Sequence, residues 1–423
     1  MWGAKTVRTV VARASIGAAV ALATLLTLLP SRVRRKWFER PESLGRSVDN
    51  LLNSTVLFGI DPLADLSALE AGLLPQTADV DERAENRIVE RILAAYWKAK
   101  ADQKGAPRVY QPYGEWGDTI KTTRGEYLAA LERSDSLELS RLLRDFFRNC
   151  GADGLLTTGY FPEISTASTR KKRAFICAML QDYSSWKDLT GNTDPRALAA
   201  PVIGNPWGYL IDKQLVMPGA CRHNYFAHQA CALLSDIPGV PVVAEIGGGF
   251  GGVAYFLLSM MDKCRYINFD LPEILLLEQY YLMSAFPKKK FLLCGEQQVE
   301  FCCALENYDV ILMPNFELPK LPDASVDVFI NTGSLSEVEY ATVEEYIDQI
   351  ARTCRLYFFH DNSDREVPKG RHVEIPASRF PIPARIFRKV YKAKSPWVGM
   401  GEERFREHLF RRLAPLATLA QQR

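Results

Sequence analysis

The sequence predicts an α/β protein in which a mostly parallel sheet, covered by helices on both faces, occupies residues 236–395 and follows a mainly helical region, 44–235. Two observations lead there. From Val240 onward, short apolar runs alternate with amphipathic stretches: VPVVAEI, GGVAYFLLSMM, RYINFD, PEILLLEQYYLMSAF, YDVILM, VDVFINT, TVEEYIDQIART and RLYFFH. That is the rhythm of strands joined by right-handed helical crossovers. Before that point apolar residues recur every three or four positions, as in ERAENRIVERILAAYWKAK, which is the spacing of amphipathic helices.

In chain order, the first element (1–43) is basic and apolar. Eighteen uncharged residues, 14–31, separate Arg13 from Arg32, with Lys5 and Arg8 before them and Arg34, Arg35 and Lys36 after. As a helix this stretch spans about 27 Å, against about 30 Å for a hydrocarbon core. Pro30 runs straight into the basic cluster, which disfavours a cleavable signal peptide. An uncleaved anchor or interfacial segment is expected, with the body on the cytoplasmic side.

The formal net charge of +2 is a sum of unlike parts: +6 over residues 1–50, −13 over 51–364 and +9 over 365–423. Near-neutrality excludes a polybasic nucleic-acid binder. The basic N-terminus suits an anionic membrane surface, and the basic C-terminal stretch is expected to lie against the acidic body. The nine cysteines are scattered and none has C-x-x-C spacing, so neither a disulfide framework nor a zinc site is expected. Cys302 and Cys303 are read as neighbours facing opposite ways.

Helices are expected within 44–104, 126–149 and 170–184. The segment PVIGNPWGYL (201–210) holds two glycines and two prolines, which argues against a regular element and leaves Trp207 in a loop. Beyond the alternating region, RHVEI and ARIFRKVYKAK are candidate strands that complete the sheet, one of them as an antiparallel edge. EERFREHLFRRLA, within 396–423, reads as a closing helix.

The most informative residues are VVAEIGGGFGG, 242–252, where the first strand of the alternating region turns into its first helix. Gly247, Gly249 and Gly251 let the backbone turn sharply and approach a ligand closely. Gly247, Gly249 and Gly252 also satisfy G-x-G-x-x-G, a weak dinucleotide signal. Glu245 discriminates: a carboxylate there repels a pyrophosphate but attracts the ammonium and sulfonium of S-adenosyl-L-methionine. Asp270, twenty-five residues later at the end of RYINFD, is placed to accept hydrogen bonds from both ribose hydroxyls of either cofactor.

The pattern E-x-G-x-G-x-G resembles the first motif of class I methyltransferases. More narrowly, GNPWG (204–208), CRHNYFAHQ (221–229), EIGGGFGG (245–252), FDLPEILLLEQYYL (269–282) and FINTGSLSEV (329–338), with Tyr346 and Ile347, resemble successive blocks of the sugar O-methyltransferase family. The resemblance covers roughly 200–365. It implies a Rossmann-like class I methyltransferase sheet, S-adenosylmethionine as cofactor and a hydroxyl of a sugar or glycosylated compound as acceptor. An NAD(P)-dependent oxidoreductase on the same fold and a non-catalytic membrane-associated scaffold are the alternatives.

A sugar hydroxyl is a poor nucleophile near neutral pH, so methyl transfer calls for in-line positioning and a base. Two residues are candidates. Glu337 follows the fourth strand, although Ser334 and Glu337 also have the spacing of a helix-capping box. His223 lies in one of the resembling blocks. Arg222 is a candidate for holding the methionine carboxylate or a substrate phosphate, and Asn331, ending a strand, for orienting cofactor. Asp361 and Asp364 lack convincing metal-site spacing, so no metal is expected.

Overall fold

In the computed structural model of the chain, residues 65–76, 81–113, 115–152, 155, 160–298, 300–369, 372–397 and 404–413 are described. The basic apolar segment 14–31 lies outside them. Among the described residues no helix is long and apolar enough to cross a membrane.

Seven helices come first: α1 (Leu66–Gly72), α2 (Glu82–Gln103), α3 (Glu115–Thr123), α4 (Gly125–Glu132), α5 (Ser136–Arg144), α6 (Phe161–Ser165) and α7 (Thr169–Thr190). Helix α2 shows how local sequence sets them. The Asp81 side chain accepts hydrogen bonds from the backbone N–H groups of Arg83 and Ala84 and so caps the first turn. Val89, Ile92, Leu93, Tyr96 and Ala99 then form one buried stripe. A short hairpin follows, β1 (Tyr209–Ile211) and β2 (Gln214–Val216), so the expectation of no regular element at 201–210 holds only up to Gly208. Trp207 is fully buried, donates Nε1–H to the Phe147 carbonyl at 2.9 Å and stacks on Phe175. It anchors the loop in the core.

The remaining elements are α8 (Ala220–Leu234), β3 (Val242–Ile246), α9 (Gly252–Met260), β4 (Arg265–Asp270), α10 (Pro272–Ala285), β5 (Phe291–Leu293), α11 (Phe301–Asn307), β6 (Val310–Pro314), β7 (Val326–Thr332), α12 (Tyr340–Thr353), β8 (Cys354–Ser363), β9 (Pro368–Lys369), β10 (His372–Val373), β11 (Phe387–Lys394) and β12 (Phe405–Arg412). Eight strands form one sheet in the order β11-β12-β8-β7-β3-β4-β6-β5. Strands β3 to β8 run parallel, and β12 is antiparallel to both of its neighbours. This is the expected Rossmann-like class I methyltransferase arrangement, mostly parallel with an antiparallel edge. Strands β3 and β6 are buried along their whole length, as central parallel strands covered on both faces must be.

Three readings need correction. Residues 405–412, expected as a closing helix, are strand β12. Phe405, Leu409 and Phe410 have helical spacing, but Glu407 and His408 are buried too, because the segment fills the gap between β8 and β11 with both faces covered. RHVEI supplies only the two-residue β10, paired with β9 outside the main sheet. Cys302 and Cys303 do not face apart: both are exposed on α11, with their sulfurs 3.9 Å from each other.

The helical region is tied to the sheet by polar contacts as well as apolar ones. Glu85 on α2 accepts from the Arg144 guanidinium on α5 (Nε to Oε2, 2.9 Å) and from the Tyr280 hydroxyl on α10 (2.7 Å). Lys100 pairs with Glu273 at 2.6 Å, and Arg91 pairs with Glu296 and donates to the Phe291 carbonyl. The 3₁₀ turn Arg108–Tyr110 then brings the chain across the carboxyl ends of the strands: the Tyr110 hydroxyl donates to Glu345 on α12, and the Val109 carbonyl accepts from Thr342.

Candidate active site

Strand order reverses around β3, which has β4 on one side and β7 on the other. In open α/β sheets the crevice outside the carboxyl ends of the strands at such a point is where ligands bind. A cleft with about 670 Å³ of empty space, its solvent-open mouth included, lies there. Its floor is the ends of β3, β4 and β6 with the turn after β7: Ile246, Gly247, Gly249, Asp270, Asn315 and Ser334. Its roof comes from the helical region, chiefly Gln111, Tyr113 and Trp116, and its far wall from Glu339, Thr342 and Tyr346.

The glycine turn is held by a side-chain ladder. Asn331 Nδ2 donates to the Ile246 carbonyl at 2.7 Å and to Ser334 Oγ at 2.6 Å, and Ser334 Oγ donates to the same carbonyl at 3.1 Å. Asn331 Oδ1 in turn accepts from Asn362 on β8 at 2.8 Å. Asn331 is fully buried, so it positions the end of β3 from below. Gly247 adopts φ +75°, and a Cβ there would lie 2.3 Å from Ser334 Oγ. Gly251, at φ +87°, opens α9, where a Cβ would meet Glu278 at 2.9 Å. Both positions therefore exclude a side chain.

Asp270 lines the cleft. Its carboxylate accepts from the Gly249 N–H at 3.1 Å and the Leu271 N–H at 2.7 Å. Burial outweighs these bonds and pushes its pKa up to about 7. Glu245 sits beneath the turn, 1 % exposed, accepting from the Tyr266 hydroxyl at 2.8 Å. Burial pushes it up to about 7 as well, against the lowering effects of Tyr266 and Arg222. Asn315, a lining residue, donates to the Tyr110 carbonyl and the Tyr346 hydroxyl, while its buried Oδ1 has no partner.

The other residues singled out from the sequence lie elsewhere. Arg222, 4 % exposed on α8, stands 3.7 Å from Asp361 and over the Phe226 ring, outside the cleft lining. His223 is also buried and absent from that lining. Its ring packs edge-on to Phe250 and so close to Gly252 that a Cβ there would lie 2.5 Å from Nδ1. Burial, then Arg222, lowers its pKa to about 3, which makes it a neutral packing residue. The 3₁₀ turn Ser334–Glu337 has Gly333, not Ser334, at its N-cap, so Ser334 and Glu337 do not hold the first and fourth places of a capping box. Glu337 accepts instead from the Nε1–H of Trp116 at 2.8 Å, which links the turn after β7 to the cleft roof. Asp361 faces Arg222 and Asp364 pairs with Lys392, and among the described residues no group of three metal-ligating side chains is found.

Gln111, Tyr113, Trp116, Asn315, Glu339 and Tyr346 are the lining residues that sequence reasoning missed as site residues. The signal for Asn315 was its place one residue beyond the strand VILMP, next to the strand-end position that marked Asp270. The roof residues carry no such mark.

No family model and no curated protein matches the chain. Similar solved structures include the N-methyltransferase NodS from Bradyrhizobium japonicum WM9 in complex with S-adenosyl-L-homocysteine: 15 % identity, 55 % of this chain and 100 % of that one, TM-score 0.30. Another is the magnesium protoporphyrin IX methyltransferase from Synechocystis PCC 6803 with bound S-adenosylmethionine: 13 % identity, 46 % and 81 % covered, TM-score 0.30. A third is phosphoethanolamine N-methyltransferase 1 from Haemonchus contortus: 11 % identity, 56 % and 50 % covered, TM-score 0.31. At these scores the fold assignment rests on the strand order and not on the neighbours.

Proposed function

We propose that the protein is an S-adenosylmethionine-dependent methyltransferase that acts on a hydroxyl of a sugar or glycosylated compound. One observation carries the cofactor reading: among the described residues, the charged side chains lining the cleft are Asp270 and Glu339, both acidic, with Glu339 paired to Arg108 at the outer wall and Asp270 and the buried Glu245 without an ion pair at the floor. A poorly solvated acidic cleft favours a cofactor bearing an ammonium and a sulfonium and opposes a pyrophosphate. Asp270 would hold the ribose hydroxyls, and its two backbone donors leave lone pairs on each carboxylate oxygen for them. When bound, the cofactor supplies an electrophilic methyl group.

The chain's own residues then position the acceptor and take its proton. Tyr113, Trp116 and Tyr346 offer flat apolar faces on which a sugar ring can lie, and Gln111 and Thr342 offer hydrogen bonds to its hydroxyls. The sugar class itself rests on the resembling sequence blocks. The proton acceptor is a carboxylate of the turn after β7, Glu337 bound to Trp116 or Glu339 in the wall.

Calorimetric titration with S-adenosylmethionine, S-adenosylhomocysteine and NADH tests the cofactor. Binding of the first two and none of the third is expected, and tight NADH binding without the sulfonium compound overturns the reading. A methylation assay across a carbohydrate panel tests the acceptor, and methyl transfer only to amines would remove the hydroxyl assignment.

A further inference from the structure

Beneath the glycine turn, Glu245 on β3, Tyr266 on β4 and Glu278 on α10 meet in a buried cluster. The Tyr266 hydroxyl lies 2.8 Å from Glu245 Oε2 and 3.0 Å from Glu278 Oε1. The other Glu278 oxygen, Oε2, accepts from Asn268 Nδ2. Asn268 has no freedom to flip, because its Oδ1 accepts from the Gly248 N–H at 3.1 Å. All four side chains are at most 1 % exposed.

Counting protons fixes the charge of this group. A tyrosine hydroxyl has one hydrogen and can donate to one carboxylate only. With both glutamates ionised, the second carboxylate oxygen would face the phenolic lone pairs at hydrogen-bond distance in a medium of low dielectric, a strongly unfavourable contact. One added proton resolves it. Arg222 faces Glu245 and not Glu278, which favours leaving the charge on Glu245; with Glu278 Oε2 committed as an acceptor, the proton then sits on Oε1 and is donated to Tyr266, which donates to Glu245. Every polar atom of the bridge is then paired and the cluster holds a single negative charge at Glu245.

We infer that Tyr266 and Glu278 are positioning residues that act through Glu245: they store one proton under the cofactor loop, which is expelled when the cationic sulfonium cofactor binds and retained with its neutral thioether product. The inference rests on the S-adenosylmethionine reading. The two ligands differ by one positive charge, and the loop that would carry them sits on the cluster through Gly248 and Gly251. The charged groups facing Glu245 are Arg222 from α8, Asp270 from the end of β4 and Glu278; those facing Glu278 are Glu245 and Asp270. Burial first, then Glu245, raises Glu278 well above the ordinary carboxyl range, in keeping with its holding the proton.

The test is calorimetry of the full chain with S-adenosylmethionine and with S-adenosylhomocysteine, in buffers of different ionisation enthalpy between pH 6 and 8. More proton release is expected with the sulfonium compound, whose Kd falls by up to about tenfold for each unit that pH rises below the apparent pKa of the pair, and a flatter profile with the thioether. Glu278→Gln replaces the proton donor by an amide N–H that cannot titrate, so in the variant the two ligands release protons equally. Should it fail to fold, Tyr266→Phe is measured instead and must shift the midpoint of the pH profile for the sulfonium compound. Equal release for both ligands in the parent, a difference that persists in Glu278→Gln, or an unmoved midpoint in Tyr266→Phe overturns the inference. Failure to bind S-adenosylmethionine at any pH overturns the cofactor reading instead.

Discussion

Replacing Gly247 by alanine perturbs the turn in two separable ways. The backbone sits at φ +75°, where an L-residue costs about 1–2 kcal/mol. The new Cβ also falls 2.3 Å from Ser334 Oγ and 2.7 Å from Ser334 Cβ, so Ser334 must move. Moving it breaks its bonds to the Ile246 carbonyl and Asn331, each worth about 1 kcal/mol. Together these come to about 3–4 kcal/mol, and if all of it is taken from the ligand-binding geometry the affinity for S-adenosylmethionine drops by roughly 10² to 10³. Ser334→Gly removes both clashing atoms but leaves the dihedral cost. Ser334→Gly also deletes the two bonds that Gly247→Ala breaks, so the double variant Gly247→Ala/Ser334→Gly should bind about as tightly as Gly247→Ala and not worse by the sum of the two losses, a coupling of about 2 kcal/mol. Titration calorimetry gives the Kd values, and a melting curve for each variant confirms that the fold survives. Binding by Gly247→Ala within threefold of the parent, or a double variant whose loss equals the sum of the two single losses, refutes the argument.

Asp270→Asn should weaken S-adenosylmethionine and S-adenosylhomocysteine alike, by about 10- to 100-fold, since the ribose it serves is common to both; calorimetry showing a selective loss of one would contradict the role. Glu337→Gln and Glu339→Gln separate the two candidate bases: the true one loses about 10²- to 10⁴-fold in kcat with the cofactor Kd unchanged, measured as single-turnover methylation. Glu85 is a stability prediction. Although burial raises its pKa, the bonds from Arg144 and Tyr280 prevail and hold it below the ordinary 4.5. A depressed folded pKa means that its stabilisation is full above about pH 4.5 and is lost as pH falls through the folded value. Glu85→Ala should cost about 2 kcal/mol at pH 7, the worth of a hydrogen-bonded charge, and flatten the acid limb of the melting-temperature profile.

The order of strands and helices from Val240 was legible because parallel strands buried on both faces must be continuous apolar runs, and VVAEI and VILMP are such runs. The glycine turn and Asp270 were legible for a related reason: strand ends at a reversal of strand order have few alternatives to ligand binding. Strand β12 was not, since Phe405, Leu409 and Phe410 satisfy a helical stripe and only the empty position beside β8 decides against it. Arg222 and His223 looked like site residues by chemistry. Burial behind the sheet ends, against Asp361 and Gly252, is a tertiary fact that no local pattern carries. The roof was invisible for the opposite reason: Tyr113 lies in the loop before α3 and Trp116 in its first turn, and only long-range contacts to Glu337 and α12 bring that stretch over the cleft.

The ties between α2 and the sheet have a consequence for how such a molecule can change. Glu85, Arg91 and Lys100 bind α10 and the β5 edge, and Tyr110 binds α12, so the helical region is fastened on both sides of the cleft. It cannot be exchanged as a cassette without severing charges that would be left buried and unpaired. Tyr113, just beyond the last of these fastenings, lines the roof and makes none of these ties, whereas Gln111 donates to the Gln103 and Ala106 carbonyls at the end of α2 and Trp116 to Glu337. New acceptors can be tried by altering Tyr113 alone, on a frame whose melting temperature reports directly whether it has been disturbed.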